Sequence, residues 1–118
     1  MPSDEDLVRI RHMLDAAREA VSLSGRKGPK ALAKNRVLSL ALVRLLEVLG
    51  EAAGRVSDKA RAEHPEVPWS QIVGLRNRLI HGYDSVDLEV LLRVLRDDLP
   101  PLIEVLEDAV RALRRPGK

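Results

Sequence analysis

The chain is 118 residues long, with 45% hydrophobic and 32% charged residues, the length and mixture of a single folded domain over residues 1–118. It has no cysteine, which excludes disulfides, thiolate metal sites and a cysteine nucleophile. Lys and Arg outnumber Asp and Glu by 20 to 18, a surplus compatible with an RNA partner but short of a strongly basic surface.

With no Phe, one Trp and one Tyr, the core must be built from Leu, Val, Ile and Ala. Strands draw on aromatic and β-branched residues, so this composition favours an all-α fold. The acidic start, Met1-Pro2-Ser3-Asp4-Glu5-Asp6, lacks the charged-then-apolar layout of a signal peptide. The most apolar run, Val37 to Gly50, is interrupted by Arg44 and Glu47, so it cannot span a bilayer. The expectation is a soluble cytoplasmic protein with no membrane association.

Ser3 and Asp6 suggest a helix-capping start with an acidic first turn. Leu7, Ile10, Leu14, Ala17 and Val21 then recur at alternating spacings of three and four, the apolar face of a first helix. Ser24 to Lys30 breaks it with a basic, Gly- and Pro-containing loop, read as a solvated turn ahead of a phosphate contact.

A second helix is expected from about Ala31 to Val56. Leu38, Leu42, Leu45 and Leu49 form its stripe, flanked by Val37, Ala41, Val48 and Ala52. Only a narrow strip through Arg44, Glu47, Glu51 and Arg55 is charged. Such a helix is buried on several sides, as the centre of a bundle and as part of a subunit interface. Gly50 and Gly54 each weaken a helix by ~1 kcal/mol relative to Ala, which points to close packing or an early helix end. Glu51 reads as an i,i+4 partner of Arg55, ahead of a second reading as a carboxylate near the cleft described below.

Ser57 to Pro68 reads as a linker closed by Pro65 and Pro68. His64 within it, and His12 on the first helix, are expected to be exposed. Neither has a partner at ligand spacing, so no metal site and no cofactor are implied. Pro68-Trp69 opens a third helix whose core face is Ile72, Leu75 and Leu79. Asp84 to Asp87 offers turn and cap residues. Leu88, Leu91, Leu92, Leu95 and Leu99 give a fourth helix, which Pro100-Pro101 should stop or kink. Ile103, Leu106, Val110 and Leu113 continue the period to a basic tail at Arg111 to Arg115, where cations suit the helix dipole. No repeat, Gly-rich phosphate loop, nucleophile elbow or paired catalytic carboxylate is present.

The stretch richest in chemistry is Arg76-Asn77-Arg78-Leu79-Ile80-His81-Gly82-Tyr83. Histidine exchanges a proton near neutral pH, and arginine offers a fixed fork of donors suited to phosphate. Gly82 is a natural helix stop, which would leave His81 in a last turn where the dipole favours imidazolium. On one straight helix Arg76 and His81 would lie about 140° apart. A wrapped arginine, or two copies of the helix meeting across a symmetric dimer, would bring such groups to one cleft.

This stretch resembles the Arg-x4-His-x-Tyr motif of HepT-like toxins, a branch of the HEPN superfamily, as Arg76, His81 and Tyr83 with Asn77 after the arginine. Gly50-Glu51-Ala52-Ala53 is similar to that family's second-helix signature. Val67-Pro68-Trp69 with Ile72 resembles the approach to its motif helix, and Val86-Asp87 the segment after it. Together these cover roughly residues 40 to 100 in the family's order.

The resemblance implies an all-α bundle of four to five helices that forms a homodimer, with both motifs in a shared cleft. It also implies a metal-independent ribonuclease acting as the toxin of a type VII toxin–antitoxin pair. The expected partner is an MntA-like minimal nucleotidyltransferase, which would neutralise the toxin by transferring AMP to Tyr83. His81 would act as general base or acid, Arg76 would hold phosphate and stabilise its developing charge, and Asn77 would orient the backbone or His81. The rival expectation is a binding module for a nucleotidyltransferase with little or no nuclease activity.

Overall fold

A computed structural model describes residues 4–81 and 85–114, with His81 and Arg114 described by backbone alone. Helix α1 (Asp4–Ser24) buries Ile10, Met13, Leu14, Ala17 and Ala20 and packs against α3 (Arg36–Gly54) and α8 (Leu99–Arg114). It ends at Gly25, whose φ of 53° is open to glycine at little cost and whose N–H bonds Val21 O at 3.1 Å. Ser3 lies outside the described residues. Asp6 is buried and accepts from the backbone N–H and the hydroxyl of Ser57, at 2.9 and 2.8 Å.

The second helix is divided. A short α2 (Pro29–Lys34) precedes α3, and the chain turns between them at Asn35. The Asn35 side chain accepts from Leu38 N–H at 2.9 Å, an N-cap that lets a new helix start within the apolar pattern. The buried Ser39 hydroxyl donates to Leu32 O at 2.8 Å and ties the two pieces together. Along α3, Leu42, Leu46 and Leu49 are fully buried, each contributing ~1.5–3 kcal/mol on transfer from water. Val37 and Leu40 remain exposed.

The expected linker carries a helix, α4 (Asp58–Glu63), capped by the Ser57 hydroxyl accepting from Ala60 N–H at 3.1 Å. Nearby, Arg61 donates from Nε to Val56 O and from Nη2 to Ala53 O, both at 3.1 Å. It thereby satisfies carbonyls at the α3 C-terminus. The same guanidinium sits over the Trp69 ring, and Trp69 Nε1 donates to His64 O at 3.0 Å. His64 is consequently buried, not exposed as expected, while His12 is exposed.

The third helix is also divided, into α5 (Trp69–Val73) and α6 (Leu75–Leu79), with Gly74 between them. The chain then becomes extended. Strand β1 (Ile80–His81) pairs antiparallel with β2 (Ser85–Val86), Ile80 opposite Val86 and His81 opposite Ser85. Asp87 N–H donates to Leu79 O at 2.7 Å, and its carboxylate caps α7 (Leu88–Arg93) through Val90 N–H at 3.0 Å.

Pro100 and Pro101 do not end the last helix. A π-helical turn, Val94–Asp98, joins α7 to α8, and Leu99 N–H bonds Val94 O, five residues back. The widened turn falls where each proline would clash with a carbonyl one turn earlier. The two prolines therefore fit in the first turn of α8. The all-α bundle of four to five helices is present, its second and third members divided and a short helix added in the linker. Among the described residues, no helix is long and apolar enough to cross a membrane.

Candidate active site

The site is set by a close approach at Gly50. A Cβ added there would lie 3.0 Å from Ile72 O, so the backbones of α3 and α5 meet with no side chain between them. This brings the charged strip of α3 beside α6. Leu75 and Leu79, one helical turn apart, anchor α6 in the core, while Arg76 and Asn77 between them are exposed.

Arg76 Nε donates to Glu47 Oε2 at 2.8 Å, a charge-assisted bond at the short end of the ordinary range. The Arg76 side chain nevertheless stays 68% exposed, against 19% for Glu47. Behind this pair, Arg44 Nη1 lies 3.7 Å from Glu47 Oε1 and 3.7 Å from Glu51 Oε1. Acid and base alternate as Arg76, Glu47, Arg44, Glu51, with formal charges that cancel. The Arg44 contacts are long and exposed, each worth ~0.2–1 kcal/mol. Glu47, Glu51 and Arg76 also line a pocket of about 270 Å³, together with Leu46, Gly50, Gly54 and Val73.

The structure thus brings Arg76 and Glu51 together, though Glu51 is paired with Arg44 and not with Arg55 as expected. Asn77 projects from α6 next to Arg76. His81 stands apart from the expected last helical turn: α6 ends at Leu79, and Ile80 is extended at φ −114°, ψ 121°. The dipole argument for an imidazolium therefore does not apply, and neither does the angular separation on a straight helix. The His81 backbone is held opposite Ser85, while its side chain and Tyr83 lie outside the described residues. No group of His, Cys, Asp and Glu among the described residues is gathered as a metal site.

Glu47 is the residue the sequence reading passed over. It was legible as a charge on an otherwise apolar helix, one turn before Gly50. Its partner lies 29 positions later, and no periodicity reports that.

Residues 13–109 match the family model described as "Ribonuclease HepT-like". A Methanocaldococcus jannaschii protein named "Putative RNase MJ1380" is 30% identical over 95 residues, 80% of this chain and 87% of that protein. A Thermococcus cleftensis protein named "Probable ribonuclease HepT" is 39% identical over 62 residues, 52% of this chain and 56% of that one. A Caldanaerobacter subterraneus protein named "Putative RNase TTE0752" is 33% identical over 78 residues, 66% and 70% of the two chains. No solved structure matches. With a family match across most of its length, the chain belongs to the HepT-like ribonuclease family.

Proposed function

We propose that this protein is a metal-independent RNA endonuclease, the toxin of a type VII pair whose antitoxin is an MntA-like minimal nucleotidyltransferase. The observation that carries the reading is the Arg76 guanidinium, which among the described residues is bonded through Nε to Glu47 and whose side chain is 68% exposed beside a pocket. Its chain runs within five residues to His81. RNA supplies its own nucleophile. A His81 imidazole takes the proton of the 2′-hydroxyl as that oxygen attacks the adjacent phosphorus. The bond to the 5′-oxygen breaks, and that oxygen takes a proton from a second histidine, leaving a 2′,3′-cyclic phosphate. Arg76 stabilises the charge developing on the phosphoryl oxygens, and Asn77 orients the segment that carries His81.

The second histidine comes from a second copy of the chain. Support for a homodimer comes from Val37, 80% exposed, Leu40, 46%, and Val73, 45%. Val37 and Leu40 precede Arg44, Glu47 and Glu51 at helical spacing on α3, so an apolar patch continues into the charged cluster. Joining two such faces would put two copies of Arg76 near one cleft. AMP placed on Tyr83, two residues from His81, would add negative charge and bulk where an RNA phosphate must sit. The reading places the whole activity in one domain, acting in the cytoplasm.

The test is cleavage of total cellular RNA in EDTA by purified protein whose Tyr83 is shown to be unmodified by intact mass. His81→Ala is prepared identically. Cleavage by the parent and its loss in the variant, with fold and dimer retained, is the expected result. No cleavage by unmodified, dimeric parent would overturn the nuclease and favour the binding module.

A further inference from the structure

We propose that Glu47 is a positioning residue for Arg76, fixing the guanidinium so that its Nη edge meets the scissile phosphate end-on; this rests on the ribonuclease reading above. A free arginine side chain samples many rotamers, and one aimed at a phosphate must lose that freedom on binding or beforehand. Here the loss is taken in the folded protein. Glu47 Oε2 holds Nε at 2.8 Å, and no other acceptor among the described residues holds the guanidinium.

The carboxylate also faces a second cation at longer range. Arg44 lies 3.7 Å from its other oxygen, and Glu51 lies 3.7 Å from the same Arg44 nitrogen. Glu47 is the least exposed member of the four, at 19%, so its carboxylate has less freedom to follow a moving arginine. Gly50 sets the spacing, because the contact of α3 with Ile72 O fixes how far α6 stands from Glu47.

A carboxylate beside a phosphate-binding arginine has an opposite reading, in which it neutralises the arginine and competes with substrate. The geometry favours positioning. Glu47 occupies Nε and leaves the Nη pair, the edge that forms the fork with two phosphate oxygens. A competitor would be expected on that fork. Because Glu47 cancels the charge of Arg76, its contribution is orientation and not bulk attraction. Its removal should therefore fall on turnover more than on binding.

The experiment compares parent, Glu47→Gln, Glu47→Ala, Arg76→Ala and the double variant Glu47→Ala/Arg76→Ala for RNA cleavage. Hydrogen exchange at the Arg76 Nε–H is followed by NMR in parent and Glu47→Gln. Glu47→Gln keeps the shape and an acceptor, so it also serves if the alanine variant fails to fold. Expected are a slowly exchanging Nε–H in the parent that speeds up in Glu47→Gln, and a fall in kcat of about tenfold to a hundredfold with KM changed little. In the Arg76→Ala background, Glu47→Ala should cause no further loss.

Fast Nε–H exchange in the parent would overturn the proposal without reference to nuclease activity. Increased cleavage by Glu47→Gln would replace positioning with competition. Additive losses in the double variant would show that Glu47 acts elsewhere. A protected Nε–H in a parent that cleaves no RNA would confirm the contact but remove the phosphate, and with it both this proposal and the ribonuclease reading.

Discussion

Arg76 on α6 and Glu47 on α3 are joined by a 2.8 Å hydrogen bond across 29 positions of sequence. The bond links the motif segment to the central helix, and it uses Nε while the Arg76 side chain stays largely exposed. Arg76→Lys should therefore fail as a conservative change. A lysine ammonium can pair with Glu47 or with a phosphate, but it cannot offer a fixed edge to each. Cleavage by Arg76→Lys should fall about 10²-fold or more in kcat, measured beside the parent under the same salt. Activity within about threefold of the parent would show that only a positive charge is needed at this position.

Gly50 and Gly54, one turn apart on α3, should respond oppositely to alanine. At Gly50 the new Cβ meets Ile72 O at 3.0 Å, while at Gly54 nothing lies within 4 Å. Gly50→Ala should lose about 1 kcal/mol net, from roughly 2 of overpacking against about 1 regained in helix propensity. Gly54→Ala should gain about 0.5 kcal/mol by restricting the unfolded chain. Urea unfolding of both variants checks the sign of each. If Gly50→Ala were stabilising, the approach of α3 to α5 would be looser than the structure shows.

Asp6 ties α1 to the start of α4 through two bonds from Ser57. Asp6→Ala leaves a backbone N–H and a hydroxyl of Ser57 without this acceptor. The expected loss is about 2 kcal/mol of stability, read as a lower urea midpoint with an unchanged slope. Cleavage at temperatures well below unfolding should be unaffected, since the bonds Asp6 accepts from Ser57 tie α1 to α4, and Arg76 is bonded to Glu47 on α3.

Paired substitution of Val37→Asp and Leu40→Asp tests the apolar patch on α3. Both side chains are exposed, so the fold should tolerate the change within about 0.5 kcal/mol. The expected result is a monomer by light scattering, with cleavage lost because the paired histidine is gone. A variant that stays dimeric would place the subunit interface elsewhere.

The elements whose stabilising contacts are local were legible in the sequence. The α1 face of Ile10, Leu14 and Ala17, the buried Leu42 and Leu49 of α3, the helix start at Pro68-Trp69 and the cap at Asp87 all follow from spacing and residue type. The expectations that failed involved competing local signals or distant partners. Asn35 looked like a helix interior residue within a long apolar pattern, yet its side chain caps α3. Ser57 looked like the start of a linker, but it caps α4 while Asp6 holds it from 51 positions away. The prolines at 100 and 101 pointed to a stop or a kink, and the stop is absent because the preceding π turn removes the clash. His81 looked like a last-turn residue because Gly82 suggests a helix stop. Pairing with Ser85 instead draws the chain out of the helix after Leu79.

The sequence by itself determined the helical class, the apolar faces and a motif segment bearing Arg76, Asn77, His81 and Tyr83. Those features arise from periodicity and residue chemistry, which are written along the chain. Only the tertiary structure decided that Arg76 is held by Glu47, that Glu51 answers Arg44, and that β1 carries His81 out of α6. Each of these depends on how closely two helices approach or on which distant backbone group is available to pair. In this chain, the absent side chain of Gly50 sets that approach.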